Sequence, residues 1–431
     1  MKIEISYKNA RFVTDNSNEC DRETVFLKTA QNKKFLEDAK SNNPLVIANV
    51  KEFIKDFELD KDIKIIGITG TNGKTTTAAA VYSMLLDLDY GCAMQGTRGF
   101  FINDERVEEK TLTTPSVFKT LYHILLAKKR GCSYFVMEVS SHAIEQNRIE
   151  SIPFSLKVFT NLSQDHLDYH KTMENYAAVK SSFFQDESLK LINKEDKHIR
   201  YNLKNCYTYA VDEGASFTVT AYSLRDGIKG VVKHFNESEE FYSKLYGLFN
   251  IYNLLGAIAS VKLVTDKSLK EICQSVEGFG GVSGRMEVVS ENPLVIVDFA
   301  HTPDGMQKVL ESLGDKETVL VFGAGGNRDK TKRALMAKAA QRYAKKIYLT
   351  SDNPRDEDPI EIIKDIAEGF SETENVLAVP NRKKAIEVAL KELQNDEVLV
   401  ILGKGDEEYQ EIKGKKFPFD DRKIVRELLN L

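Results

Sequence analysis

Lys74 and Thr75 stand directly behind Gly70-Thr71-Asn72-Gly73 and are followed by Thr76 and a helix-forming stretch, while an apolar, β-branched run with Ile65, Ile66 and Ile68 leads into them. Strand, glycine loop with Lys-Thr, then helix is a layout that holds nucleotide phosphates. Backbone N–H groups and the helix N-terminus face the anion, Lys74 reaches the outer phosphates, and the Thr75 hydroxyl can hold Mg²⁺. The spacing departs from the common phosphate loop, whose first glycine would fall at Ile68, so a G-T-N-G-K-T variant is what is present. A plain glycine turn between strand and helix would not require Gly-Lys-Thr at that place.

Further chemistry-bearing residues gather where predicted strands end. The stretch 134–139 carries Glu138, followed by Val139-Ser140-Ser141-His142. A carboxylate at the C-terminal end of a strand beside a phosphate-loop strand is where a Mg²⁺-binding acid belongs. The stretch 156–162 runs into Asp165, His166, Asp168 and His170, so acids and imidazoles crowd the lip of the same sheet. A single loop of this kind reads equally well as solvated polar chain; two on successive strands behind a phosphate loop favour a site. Lys180, inside the helical stretch 173–185, reads on its own as a solvent-facing helix lysine.

Four more polar clusters follow strands in the last third of the chain: Asp298-Phe-Ala-His301-Thr-Pro-Asp304, Gly323-Ala-Gly-Gly326-Asn-Arg328-Asp329-Lys330, Ser351-Asp352-Asn353-Pro354-Arg355 and Gly403-Lys404-Gly405-Asp406-Glu407. Open α/β sheets bind ligands at the C-terminal ends of their strands. The mixture of carboxylates and arginines suits a zwitterionic or charged small molecule. Arg355 can clamp a carboxylate bidentately, and Asn353 can both donate and accept.

The elements that must position these residues alternate. Up to about residue 60, strand-like pieces (2–7, 24–27, 45–50) mix with helical ones (33–40, 50–57). Strands are then expected at 63–69, 134–139, 156–162 and 190–193, with helices at 116–130 and 173–185. Stretch 217–246 reads as an antiparallel patch with turns at Asp226-Gly227 and Asn236, and 250–264 as a helix. Later strands at 294–299, 318–322, 346–350 and 397–402 alternate with helices at 305–313, 331–343, 359–370 and 382–393. The expectation is an α/β protein of three domains: a small N-terminal α/β domain (1–61), a central phosphate-loop domain with a mostly parallel sheet (62–283) and a C-terminal Rossmann-like sheet (284–431). Gly278, Gly280, Gly281 and Gly284 form a candidate hinge between the last two. A length of 431 residues is too much for one core. A net charge of −5 and a pI near 6.0 argue against nucleic acid as the main partner. The first residues, MKIEISYKNARF, are charged and alternating, unlike a secretory signal, and no run approaches the ~20 apolar residues of a membrane span. Cys20, Cys92, Cys132, Cys206 and Cys273 are scattered without metal-site spacing, as expected of reduced thiols in a cytoplasmic protein.

Gly70-Thr-Asn-Gly-Lys-Thr75, Glu138-Val-Ser-Ser-His142, Asn161-Leu-Ser-Gln-Asp-His-Leu-Asp168, Asn250-Ile-Tyr-Asn253, Gly284-Arg-Met-Glu287 and Ala300-His-Thr-Pro-Asp304 together resemble the Mur ligase family, over about residues 63–421. The resemblance implies a cytoplasmic, ATP-dependent ligase of peptidoglycan precursor synthesis, expected as a monomer, that adds meso-diaminopimelate to a UDP-N-acetylmuramoyl dipeptide with Mg²⁺. It implies that Gly70, Thr71, Asn72, Gly73, Lys74, Thr75 and Thr76 cradle ATP, with Asn253 on the adenine side and Arg285 and His301 beside the nucleotide. Glu138, His166 and Lys180, the last as a carbamate, would join Thr75 as metal ligands, and Lys74, Lys180, His166 and Glu138 would be the catalytic set. Thr113, Thr114, Ser140, Gln146 and Arg148 match positions that hold the UDP substrate. Arg328, Asp352, Asn353, Arg355, Gly403 and Glu407 match the amino-acid pocket. The Asp-Asn-Pro-Arg run is the family's sign for diaminopimelate rather than L-lysine, because Arg355 with Asn353 can pair the distal carboxylate and Arg355 would repel an ammonium. Asp406, where the family carries His, would lie beside that pocket. Other readings are L-lysine or another amino acid as co-substrate, a folylpolyglutamate synthase-like ligase, which should lack the Asp-Asn-Pro-Arg and Glu-Val-Ser-Ser-His runs, and a nucleotide switch that binds ATP without ligating anything.

Overall fold

The computed structural model describes all 431 residues except Lys110, Thr111, Asp226 and Asp315, so the expected turn at Asp226 lies outside the described residues. The described residues build three large sheets and one small hairpin near the C-terminus. The first sheet has four strands in chain order, Lys2–Tyr7, Ala10–Thr14, Thr24–Lys28 and Val46–Asn49. The strand Ala10–Thr14 is not among the expected ones. It follows a tight turn in which Lys8 and Asn9 both have positive φ (47° and 66°), the geometry an Asn favours in a two-residue hairpin. Asn49 then caps the helix Val50–Asp56 by accepting from the Glu52 N–H.

The central sheet has eleven strands, and the phosphate-loop strand Lys64–Thr69 sits inside it, parallel to both neighbours, Tyr134–Glu138 and Phe154–Phe159. That position explains its uninterrupted apolar run, since a strand covered on both faces has no polar side to show. Ile66 and Ile68 pack on one face with the helices Lys74–Asp87 and Leu248–Val264. Ile65 packs on the other with the helix Val117–Lys129. Ile5, Tyr7, Val13 and Phe53 join this second cluster, so the first sheet shares its apolar core with the central one.

Antiparallel strands extend both edges of the central sheet. Phe217–Ser223, Ile228–His234 and Glu237–Ser243 form the expected patch, with a turn at Phe235-Asn236. At the opposite edge, Cys92–Gly96, Gly99–Ile102 and Glu105–Glu108 form a meander that sequence patterning did not indicate. Its first turn is the pair Thr97-Arg98 between two glycines, too short a signal to separate from ordinary loop sequence.

The C-terminal sheet has six strands in the order Glu287–Glu291, Leu294–Asp298, Glu397–Leu402, Glu317–Phe322, Ala344–Leu349 and Val376–Ala378. All but the first are parallel, with helices such as Thr331–Tyr343 and Arg382–Glu392 on the two faces, as a doubly wound sheet requires. A small hairpin, Tyr409–Ile412 with Lys415–Pro418, and the helix Asp421–Leu429 complete it. Arg382 begins one helix and Asp421 another, and both side chains are 0% exposed. The guanidinium donates to both carboxylate oxygens at 2.9 and 2.7 Å and to the Leu402 carbonyl at 2.9 Å. Removing Asp421 leaves the buried guanidinium, among the described residues, with only Asp352, 3.9 Å away, as an ion-pair partner, so Asp421→Ala should destabilise the C-terminal sheet by about 3 kcal/mol. A urea titration read by hydrogen exchange of the strand Glu397–Leu402 checks this. No helix among the described residues is long and apolar enough to cross a membrane.

Candidate active site

The phosphate loop takes its shape from residues on other elements. Gly73 has φ +82° at the start of the helix Lys74–Asp87, and a Cβ there would lie 2.3 Å from Asn253 Oδ1. The amide of Asn253 in turn donates to Asn250 Oδ1 at 2.9 Å. Asn253, expected on the adenine side, therefore sits against the phosphate loop itself. The loop tip is stitched to the next strand end. Thr71 N–H donates to the Asn161 carbonyl at 2.8 Å, Asn72 N–H to Asn161 Oδ1 at 2.9 Å, and Thr160 Oγ1 to the Asn72 carbonyl at 2.7 Å. Lys74 Nζ donates to the carbonyls of Gly70 and Thr71, both at 2.7 Å. Burial pushes its ammonium pKa down, against the raising effect of Glu138 and Asp165. Thr76 is buried one position further along the helix.

Glu138 is the acid end of the site, on the strand adjacent to the loop strand as expected. Thr75 Oγ1 donates to its Oε2 at 2.8 Å. Its Oε1 accepts from the Thr97 N–H at 2.7 Å, and Thr97 Oγ1 contacts both Oε2 (3.1 Å) and the hydroxyl of Thr113 (3.2 Å). Thr114 Oγ1 donates to the Glu138 carbonyl at 2.9 Å and accepts from Ser140 N–H at 3.0 Å, and Arg148 donates to the Thr114 carbonyl at 3.0 Å and to Gln146 Oε1. The five residues matched to the UDP substrate thus form one hydrogen-bonded wall joined through Thr97 to the acid. Thr97 was missed because a lone threonine in a two-residue turn carries no sequence signal.

Lys180 is not the solvent-facing lysine its helix suggested. It is 1% exposed, and its Nζ donates to the Gly70 carbonyl at 2.9 Å and Thr69 Oγ1 at 3.2 Å, at the root of the phosphate loop. Burial, helped by the nearby Lys74, pushes its ammonium well below the ordinary lysine value. The ring of Tyr176 is 5.0 Å from this amine and 6.4 Å from the His166 ring. Desolvation lowers His166 below the ordinary histidine value, although its side chain is 45% exposed. His170 is buried, with its Nε2 2.9 Å from Ser141 Oγ, and its ring lies 5.5 Å from that of His142, which is itself 5.0 Å from His166.

The C-terminal sheet faces this loop. Asn72 Nδ2 donates to Asp304 Oδ2 at 2.9 Å. Burial opposes ionisation of Asp165, but His166, His301 and Lys332 outweigh it and hold its carboxyl below the ordinary range. Arg285 lies over the Phe299 ring at 4.3 Å, and His301 meets the same ring edge-on at 4.9 Å, with Nδ1 3.0 Å from the Phe299 carbonyl.

The loops matched to the amino-acid pocket converge as expected, with one difference in roles. A Cβ at Gly325 would be 2.9 Å from Arg355 Nη1, so the Arg355 guanidinium passes close over this glycine loop, which also carries Arg328. Arg355 is held there by Glu411 Oε2 (3.1 Å) and the Gly326 carbonyl (2.7 Å). Asn353, however, uses its amide inside the protein: Nδ2 donates to Glu407 at 2.8 Å, and Oδ1 accepts from Lys404 Nζ at 3.1 Å and Glu411 N–H at 2.9 Å. Gly403, at φ +114°, lets Asp352 Oδ2 approach to 2.4 Å from where a Cβ would stand. Asp406 lies on the hinge side. Its N–H is 2.0 Å from where a Cβ of Gly284 would stand, and its charge acts on Arg98 and Arg422.

Profiles of the Mur ligase middle domain and of the Mur ligase glutamate ligase domain match residues 68–261 and 284–405. A UDP-N-acetylmuramoyl-L-alanyl-D-glutamate–2,6-diaminopimelate ligase of Wolinella succinogenes is 48% identical over 99% of this chain and 98% of its own length. The chain belongs to the Mur ligase family. A ligase of the same name from Helicobacter pylori is 46% identical over 97% of this chain and 96% of its own. A solved structure of a ligase of that name superposes with a TM-score of 0.69 at 30% identity, covering 97% of this chain and 94% of that one. A Mycobacterium tuberculosis folylpolyglutamate synthase, 18% identical with a TM-score of 0.66 over 82% of this chain and 91% of its own, shares the fold. In this Mur ligase the phosphate loop of the central sheet meets the C-terminal sheet through the contact of Asn72 with Asp304.

Proposed function

We propose that this Mur ligase is an ATP-dependent UDP-N-acetylmuramoyl-L-alanyl-D-glutamate–2,6-diaminopimelate ligase of cytoplasmic peptidoglycan precursor synthesis. The observation that carries the reading is the contact of the Gly70–Thr75 loop, through Asn72, with Asp304 of the C-terminal sheet, whose strand-end loops carry Arg328 and Arg355. In the reaction, an oxygen of the D-glutamyl γ-carboxylate attacks the γ-phosphorus of ATP. The bond to the bridging oxygen breaks, ADP leaves, and an acyl phosphate remains. The amine of diaminopimelate then attacks the acyl carbon, the tetrahedral adduct expels phosphate, and the amine loses a proton.

The chain's own groups fit these tasks. Lys74 neutralises charge on the outer phosphates, which otherwise repel the attacking carboxylate. Thr114, Ser140 and Arg148 hold the dipeptide end beside Glu138. Arg355 and Arg328 take the distal carboxylate of diaminopimelate, while Asn353, with its amide spent on Glu407 and Lys404, sets the geometry of that loop. The apposition of the C-terminal sheet excludes water that would hydrolyse the acyl phosphate. Thr75 and Glu138, 2.8 Å apart, are an oxygen pair suited to Mg²⁺. A second Mg²⁺ would need His166 with Lys180 in carbamate form, because a free amine offers no carboxylate oxygen. Bound Mg²⁺ supplies neutralisation of the triphosphate.

The test is ADP release with UDP-N-acetylmuramoyl-L-Ala-D-Glu, ATP and either meso-diaminopimelate or L-lysine. Release with diaminopimelate at a rate at least about tenfold above lysine is expected from the loss of one carboxylate–arginine contact. Faster ligation of lysine overturns the specificity, and nucleotide binding without ADP release overturns the ligase reading.

A further inference from the structure

Asn72 is the phosphate-loop residue that looks outward. Its backbone belongs to the central sheet, with its N–H on Asn161 Oδ1 and its carbonyl accepting from Thr160 Oγ1 and Asn161 Nδ2. Its side-chain amide divides between the two halves of the molecule, donating to Ser163 Oγ at 3.2 Å within the central sheet and to Asp304 Oδ2 at 2.9 Å on the C-terminal one. Asp304 stands in the first turn of the helix Pro303–Glu311, which Thr302 caps by accepting the Gly305 N–H at 3.1 Å. A carboxylate is favoured at that end of a helix. Lys308, one turn on, donates to the same Oδ2 at 3.0 Å.

This arrangement answers a physical difficulty. A carboxylate touching a phosphate loop would oppose a triphosphate bound there, unless its charge is met locally. The Lys308 ammonium and the helix N-terminus meet it, so the oxygen can serve as an acceptor without repelling nucleotide. We propose that Asp304 is a positioning residue: it latches the C-terminal sheet onto the phosphate loop through Asn72, holding the closed arrangement in which the amino acid and the acyl phosphate meet. The proposal rests on the ligase reading above. It adds a residue that acts through Asn72.

The experiment compares wild type, Asp304→Ala and Asp304→Asn, each with intact Lys308. Measured are ADP binding, kcat for ligation, the thermal midpoint, and the radius of gyration by X-ray scattering with ADP and the UDP-dipeptide bound. Asp304→Ala should bind ADP within about twofold of wild type and keep its thermal midpoint. It should lose about tenfold in kcat, the worth of one charge-assisted hydrogen bond, and show a larger radius. Asp304→Asn keeps an acceptor oxygen for Asn72 and should recover most of the rate and the compact radius. An unchanged kcat and radius in Asp304→Ala overturns the latch, as does an Asp304→Asn protein that is folded yet as impaired as the alanine variant. If wild type itself releases no ADP, the ligase reading fails, and the scattering comparison still decides the latch.

Discussion

Replacing Lys180 by alanine should lower ligation by about 10²–10³-fold while leaving the fold intact, since a group aimed at developing charge is worth that much in rate. The side chain is buried at the root of the phosphate loop, donating to the Gly70 carbonyl and the Thr69 hydroxyl. A lysine in that place would be a poor choice for a permanent cation. Burial and the charge of Lys74 both favour the neutral amine. A neutral amine is also the form that reacts with CO₂, forming an N–C bond and releasing a proton to leave a carbamate. The carbamate itself is what the family resemblance implies, and burial of the amine favours the form that would make it. Because burial depresses the ammonium pKa, the neutral amine persists to lower pH than for an ordinary lysine and is lost as pH falls through that lowered value. Three measurements check this. Labelled bicarbonate should give a carbamate carbon signal in NMR of wild type and none in Lys180→Ala. Bicarbonate depletion should slow wild type. A short carboxylic acid supplied to the alanine variant should restore part of the rate by standing in for the missing carboxylate. Wild-type rates in Lys180→Ala would remove the assignment.

Lys74→Ala should cost about 10³-fold in kcat, with nucleotide affinity falling much less. Lys74 Nζ is anchored on two loop carbonyls, and Thr75 beside it ties the loop to Glu138. A cation held in this way meets charge that grows on the outer phosphate during transfer, so its loss weighs on the transition state more than on binding. Lys74→Arg should not rescue it. The loop encloses a single ammonium between the Gly70 and Thr71 carbonyls, and a planar guanidinium is a different shape with a different reach. Single-turnover formation of ADP, compared with equilibrium ADP binding, separates the two effects. An equal loss in both would assign Lys74 to binding alone.

The elements were legible wherever period and punctuation agreed. The strands Lys190–Asn193 and Glu397–Leu402 and the helix Thr331–Tyr343 stand where their patterns put them. The meander from Cys92 to Glu108 was not, because its strands are short and its turn is two ordinary residues between glycines. The same blindness hid Thr97, whose hydroxyl and N–H bind Glu138, since nothing local distinguishes it from a threonine in any loop.

What the sequence by itself determined is the kind of chemistry. Gly-Lys-Thr between an apolar strand and a helix specifies phosphate binding through local geometry alone, and the ordered motifs carry the family with it. What only the tertiary structure decided is which side chains are in that chemistry and which support it. Lys180 looked like a solvated charge and is buried at the loop's root. Asn253 and Asn353 were matched to ligand contacts; the fold sets the first against Gly73 and the second against Glu407 and Lys404. Asp304 gave no sign of touching Asn72, more than two hundred residues away in the chain. The reason is common to all four. Burial, desolvation and hydrogen-bond partners belong to a place in space, and neighbours brought together across sheets leave no trace in the spacing of either segment.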